Sequence, residues 1–311
     1  MRGDSKLAAF AALAGGVVAI GWSAIFVRWT QIPGTASAFY RMLIASAVLW
    51  LLLARRKATL PRMSLRTLAL SSLGGAFFAA DVGLYNVAVL RTSAGNATFL
   101  GNNAPLIVGL LTWLVTRRLP SWRFWVALVI ALAGAALIVS IDFSHMASRS
   151  TADLMAVLAS ACFAIYMLIT ERVRDKLDTM TLVTLSTTAS AIALLAFTVG
   201  AHVSLAVPGS SSLGALIGLG LLCQLAGYFC LTYALGHLPA TISSIVMLAV
   251  APLTALLAFV FFEERMSPLQ LLGGALILAA VWIVSRGAGL ERSVVPQGCE
   301  LGAEPMELPT E

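Results

Sequence analysis

Ten continuous apolar runs, each long enough to cross a lipid bilayer as a helix, take up most of this 311-residue chain. Crossing ~30 Å of hydrocarbon takes about 20 helical residues at ~1.5 Å each. The runs that reach this length are 8–28, 35–54, 65–89, 94–116, 122–141, 152–172, 179–201, 212–235, 240–262 and 268–285. They do not alternate, which excludes the strands of a membrane barrel. Composition leads to the same place: 59% of residues are hydrophobic and 11% charged, against roughly 45–50% and 25% in soluble domains. A water-soluble fold of this length could not hide so much apolar surface. The expected class is all-α integral membrane.

The net charge of +6 does not point to nucleic acid, because the Lys and Arg residues sit in short clusters between apolar runs. That is how cytoplasmic loops of membrane proteins read. With the N-terminus inside, fifteen of the 20 basic residues fall in inner segments, among them Arg55, Arg56, Lys57, Arg117, Arg118, Arg172, Arg174 and Lys176. Arg28, Arg91, Arg149 and Arg265 fall outside, and Arg41 lies within a helix. Both termini are therefore expected in the cytoplasm. Six tryptophans fall near run ends, as interfacial belts require; Trp22 alone sits deeper. The first run follows Arg2 and Lys6 but lacks a clean small-x-small cleavage site, so it reads as a retained helix. Residues 286–311 read as a disordered cytoplasmic tail. The four cysteines show no disulfide framework, since Cys223 and Cys230 are two turns apart on one helix.

An internal repeat organises the runs. Ala104-Pro105-Leu106 in the fourth matches Ala251-Pro252-Leu253 in the ninth at an offset of 147 residues. Both runs end at a charged corner, Arg117-Arg118-Leu119 in one and Glu263-Glu264-Arg265-Met266 in the other. Each corner leads into a Gly/Ala-rich run ending Ile138-Val139-Ser140 or Ile283-Val284-Ser285. Five helices per half is an odd number, so halves 1–141 and 152–285 should have opposite topology around a central cavity.

These residues resemble the EamA family of the drug/metabolite transporter superfamily, whose members are tandems of five-helix units. Arg41 in Phe39-Tyr40-Arg41 matches an arginine that the family often carries in its second helix, whereas Arg117 stands where the family commonly has Glu. The resemblance implies a carrier of the bacterial inner membrane, often an exporter. Aromatic amino-acid exporters of the YddG type form one branch.

Polar groups inside the apolar runs mark candidate sites, because a charge at the bilayer centre costs ~2.5–3.5 kcal/mol on insertion scales. Asp81 is the one acidic residue deep in a run and Arg41 the one base. Similar depth suggests either an Arg41–Asp81 bridge locking two helices or an Asp81 left to bind substrate or couple transport, with protons as the candidate coupling ion. Tyr85 follows Asp81 by one turn. Asn96, Phe99, Asn102 and Asn103 form a polar-aromatic stripe, as do Gln224, Tyr228 and Thr232, then Cys162, Tyr166 and Thr170, then Trp22, Ser23 and Phe26. Interhelical hydrogen bonds explain each stripe singly. Together they suggest an aromatic-lined cavity with Trp22, Asp81, Tyr85, Asn103, Tyr166, Gln224 and Tyr228 as binding residues. Pro105 and Pro252 should kink their helices in the middle and are candidate hinges. Gly15-Gly16, Gly74-Gly75 and Gly273-Gly274 should let helices pack closely.

The expected function is secondary transport of small organic metabolites, amino acids including aromatic ones foremost. Drugs, nucleosides or other metabolites are the alternative solutes, and a channel or structural membrane subunit the alternative class. No His pair at helical spacing or paired membrane carboxylate suggests an enzyme, a metal or a cofactor. The partners implied are a small-molecule substrate and the lipid bilayer.

Overall fold

The computed structural model describes residues 2–56, 63–91, 100–101, 103–139, 150–262 and 267–291. Among the described residues the secondary structure is entirely helical: α1 (Arg2–Gly21), α2 (Ser23–Thr30), α3 (Gly34–Arg55), α4 (Leu65–Arg91), α5 (Ala104–Thr116), α6 (Trp122–Val139), α7 (Ser150–Val173), α8 (Thr179–Gly200) and α9 (Ser210–Gly218), which runs through a π-helical segment (Leu219–Gly227) into α10 (Tyr228–Leu235), then α11 (Ala240–Met247), α12 (Val250–Phe262) and α13 (Pro268–Glu291). Without water in the bilayer core every backbone group must bond internally, which leaves helix as the solution for runs like these. Among the described residues eight helical segments are long and apolar enough to cross a membrane, and Ala104–Thr116 and Trp122–Ile138 are shorter apolar helices. The last helix continues past Ser285 to Glu291. Asn96, Phe99, Asn102, the corner at 263–266 and residues 292–311 lie outside the described residues.

Several spans are interrupted where the sequence reads as continuous. The first breaks at Trp22, between α1 and α2. There the Gly21 carbonyl accepts a hydrogen bond from the Thr254 hydroxyl at 3.0 Å. The ninth breaks at Leu248-Ala249, and α5 begins at Ala104 after a turn at Asn103. Pro105 and Pro252 thus stand in the first turns of α5 and α12 rather than in mid-helix. This corrects the expectation of mid-helix kinks. A first-turn residue has no intrahelical N–H partner to lose, so proline starts the helix instead of bending it.

The packing joins the two halves of the chain. The first span (α1) packs on the eighth (π segment and α10), and the third (α4) on the sixth (α7). The second (α3) packs on the seventh (α8), the fourth (α5) on the ninth (α11), and the fifth (α6) on the tenth (α13). Exchanging the halves maps this set of pairs onto itself.

Glycines set the closest approaches. A Cβ on Gly134 of α6 would stand 2.5 Å from the Gly273 carbonyl oxygen of α13, and one on Gly273 would strike the Gly134 carbonyl in return. Small residues that let backbones meet are the usual device for helix association in lipid. Gly16, Gly74, Gly75 and Gly274 also lie against neighbouring helices, whereas Gly15 has nothing within 4 Å of its Cβ position. Outward faces carry exposed Leu51, Ile192, Val260 and Leu278. Contiguous apolar surface of this kind marks contact with lipid.

Polar side chains turn inward and bond to their own helices. On α8, Thr184, Ser190 and Thr198 donate to the carbonyls four residues back, at 2.8, 2.9 and 2.6 Å. Ser190 also donates to the Gly75 carbonyl of α4 at 2.7 Å. Asp178 caps the start of α8, its carboxylate accepting from the Thr181 N–H at 3.1 Å.

Candidate functional site

Arg41 is 8% exposed and lies about two turns into α3, where α3 crosses the α1–α2 break and the π-helical segment. Its Nε donates to Gln224 Oε1 at 2.9 Å, and its Nη1 to Ser23 Oγ at 3.2 Å. The guanidinium carbon stands 5.3 Å from the centroid of the Tyr228 ring, within cation–π range. Nη2 is buried and has no hydrogen-bond partner among the described residues. Three of these contacts depend on departures from regular α-helix. Ser23 opens α2 directly after the break, Gln224 lies within the π segment, and Tyr228 follows that segment. π-Helical turns inside α-helices occur frequently at functional sites.

Beyond Tyr228 lies a closed cluster of rings. Phe78 of α4 has its centroid 4.5 Å from Tyr228 and 4.8 Å from Tyr166 of α7, and Tyr166 stacks on Phe163 at 6.1 Å. Phe78, Tyr166 and Tyr228 are all buried, as is Gln224. Asp81 lies one turn beyond Phe78 on α4, within electrostatic reach of Arg41, Cys162 and Tyr228. Among the described residues the hydrogen bonds of the Arg41 guanidinium go to Gln224 and Ser23, with Asp81 within electrostatic reach. The physical reason is packing. The main neighbours of α3 are α8 and the π segment rather than α4, the helix that follows it in sequence. Gln224 and Ser23 therefore take two of the guanidinium nitrogens.

The structure brings Tyr166, Gln224 and Tyr228 together beside Arg41 and leaves three other sequence candidates apart from them. Trp22 packs on Phe26 and Phe261, with centroids at 6.0 and 5.1 Å. Tyr85 is one turn beyond Asp81, in a small cluster with Ala88, Leu100 and Met155. Asn103 occupies the turn before α5, where its amide donates to the Leu100 carbonyl at 3.0 Å. Two cavities of about 530 and 540 Å³ lie elsewhere, one lined by Leu52, Arg55, Met180 and Phe229, the other by Ala80, Leu84 and Phe197.

Phe78 is the residue that the sequence reading missed. Its signal was present, because Phe78, Asp81 and Tyr85 recur at three and four and share one helix face. The Arg41–Gln224 bond joins residues 183 apart and had no local signal. Among the described residues no three His, Cys, Asp or Glu side chains gather as metal ligands do.

The EamA-like transporter family model matches residues 7–140 and again residues 150–286. An uncharacterized transporter, YwfM, of Bacillus subtilis is 33% identical over 65% of this chain and 68% of its own length. A protein of Streptantibioticus cattleyicolor, named a probable terminal-alkyne amino-acid exporter, is 26% identical over the same shares, 65% and 68%. A solved crystal structure superposes with a TM-score of 0.78 at 16% identity, covering 95% of this chain and all of that one, which is a likeness of fold.

Proposed function

Since this chain belongs to the EamA-like transporter family of the drug/metabolite transporter superfamily, and is thus a multi-pass membrane transporter rather than an enzyme, we propose that it exports small organic metabolites, amino acids with aromatic side chains foremost. The solute binds between the halves, among Tyr166, Gln224, Tyr228 and Asp81, with Trp22, Tyr85 and Asn103 on the path to either side. Protons are the candidate coupling ion, through Asp81.

One observation carries the reading. Helices from both halves converge on a buried arginine, an amide and a shell of aromatic rings. Rings contribute large apolar area and can stack on a flat side chain. The relative named an amino-acid exporter supports the solute class.

In this reading ten spans form two inverted five-helix halves, 1–141 and 152–285, that rock against each other, with residues 286–311 as a cytoplasmic tail. The self-mapping pattern of helix pairs supports a two-fold relation between halves, and the loop charges support cytoplasmic termini in a bacterial inner membrane. The breaks before Pro105 and Pro252 are the hinges, because a helix that restarts can turn about its gap.

The test is uptake into proteoliposomes by protein verified as monodisperse. Tyr228→Ala or Trp22→Ala should weaken phenylalanine transport more than alanine transport. Equal losses for the two solutes would remove the aromatic site.

A further inference from the structure

We propose that the free donor of Arg41, Nη2, is the anchor for a carboxylate on the transported solute, an inference that rests on the carrier reading above and names its substrate class.

A guanidinium has five N–H donors in a fixed fork and keeps its charge in proteins. In this site the fork is held rigidly on one side only. Gln224 takes Nε at 2.9 Å, Ser23 takes Nη1 at 3.2 Å, and the Tyr228 ring lies against the group at 5.3 Å. What remains is Nη2, buried and without a hydrogen-bond partner among the described residues, on a side chain that is 8% exposed. A buried charged donor left unsatisfied is among the costliest arrangements in a protein interior. Asp81 lies within electrostatic reach, yet among the described residues the hydrogen bonds of the group go to Gln224 and Ser23. An anion supplied from outside resolves both facts, and the planar match of carboxylate to guanidinium makes an organic acid the natural occupant.

The surroundings narrow the class further. Tyr228 lies within electrostatic reach of both Arg41 and Asp81, so a cation and a carboxyl group border the same ring cluster. A zwitterion with an apolar side chain complements that set, with its carboxylate on Nη2, its ammonium toward Asp81 and its side chain replacing ring-to-ring contacts. Gln224 and Ser23 fix the plane of the fork. Because the cluster is closed around Phe78, Tyr166 and Tyr228, the solute enters only as these rings part.

The experiment compares four probes on purified full-length protein in nanodiscs: phenylalanine, 3-phenylpropionate, which lacks the amine, phenylalaninamide, whose carboxyl is capped, and phenethylamine, which lacks the carboxyl. Binding is read by thermal shift and competition, transport in proteoliposomes. The wild-type protein should bind the two carboxylates in competition with each other, and capping or removing the carboxyl should weaken binding roughly 10- to 100-fold, the worth of a charge-assisted hydrogen bond. Arg41→Gln should abolish the preference for acids over amides. Because that variant risks misfolding, Ser23→Ala, which frees Nη1 of the same fork, is the second: it should raise KM for the acids several-fold more than for phenethylamine. Equal binding of phenylalanine and phenylalaninamide by the wild-type protein overturns the anchor. Transport restricted to amines, nucleosides or cationic drugs, insensitive to Arg41→Gln, overturns the anchor and leaves the carrier reading standing. Folded wild-type protein that moves no solute of any class overturns both.

Discussion

Adding a single methyl group at Gly134 tests whether the two halves are held together where α6 crosses α13. A Cβ there would stand 2.5 Å from the Gly273 carbonyl oxygen and 3.0 Å from both Leu276 Cβ and Ile277 Cγ1. Ordinary contact begins near 3.4 Å, so the helices must part by about 0.9 Å. The carbonyl and the Leu276 Cβ belong to the helix itself and cannot swing aside as a side-chain end would. A gap of ~0.5–1 Å forfeits a quarter to a half of the dispersion energy along the seam. It would also stretch the bond from Gln270 Nε2 to the Ile138 carbonyl, now 3.1 Å. Overpacking of this kind costs ~1–3 kcal/mol, offset by up to ~1 kcal/mol from the better helix propensity of alanine. The expected net loss for Gly134→Ala is about 1–2 kcal/mol. Gly273→Ala should behave alike, and the double variant should lose less than the sum, since one separation relieves both clashes. Gly15→Ala is the control, having nothing within 4 Å, and should be neutral or slightly stabilising. Equilibrium unfolding in mixed micelles titrated with denaturing detergent measures all four variants. A Gly134→Ala variant as stable as Gly15→Ala, or strict additivity in the double, would refute the reasoning.

Three further outcomes follow from local geometry. Pro105→Ala and Pro252→Ala should each shift stability by no more than about 1 kcal/mol, because first-turn prolines displace no backbone bond; a gain near 3 kcal/mol in the same unfolding assay would mean that they sit in helix interiors. Asp178→Ala should cost ~1 kcal/mol through loss of the α8 cap. Burial pushes the Asp178 carboxyl up, but the hydroxyl and N–H of Thr181 outweigh it and hold the group below its ordinary value. The cap therefore contributes fully above pH ~4 and is lost as pH falls through the lowered value, so acid should destabilise wild type more than Asp178→Ala in pH-dependent thermal melts. Ser190→Ala removes bonds to the Gly75 and Ser186 carbonyls, at 2.7 and 2.9 Å. It should cost about 0.6 kcal/mol and no more than ~1.7, the range for polar contacts between membrane helices, and a double-mutant cycle on α4 and α8 would expose a larger coupling.

Much of this protein was legible in the chain, because the properties concerned are local. Whether a run of 20 residues partitions into lipid depends on its own side chains, so the apolar spans and their ends at Gly34, Thr179 and Ala240 could be read within a residue or so. The repeat at Ala104-Pro105 and Ala251-Pro252 was equally visible, since it needs only comparison of the chain with itself. Local reading also found Arg41 and Asp81, each a charge in an apolar run. It left open whether they pair, because depth along a helix does not say which donors of Arg41 other helices take. Most large interfaces cross between halves, so α3 meets the π segment, and Arg41 meets Gln224 at 183 positions' remove. The break at Trp22 and the π turn at Gln224 left no mark either. Their freed backbone groups are satisfied by distant residues, as Thr254 satisfies Gly21, and a helix can be interrupted in lipid only where such a partner is already in place. Where the chain enters and leaves the membrane is a property of segments; which donor of a buried arginine stays open is a property of the assembled bundle.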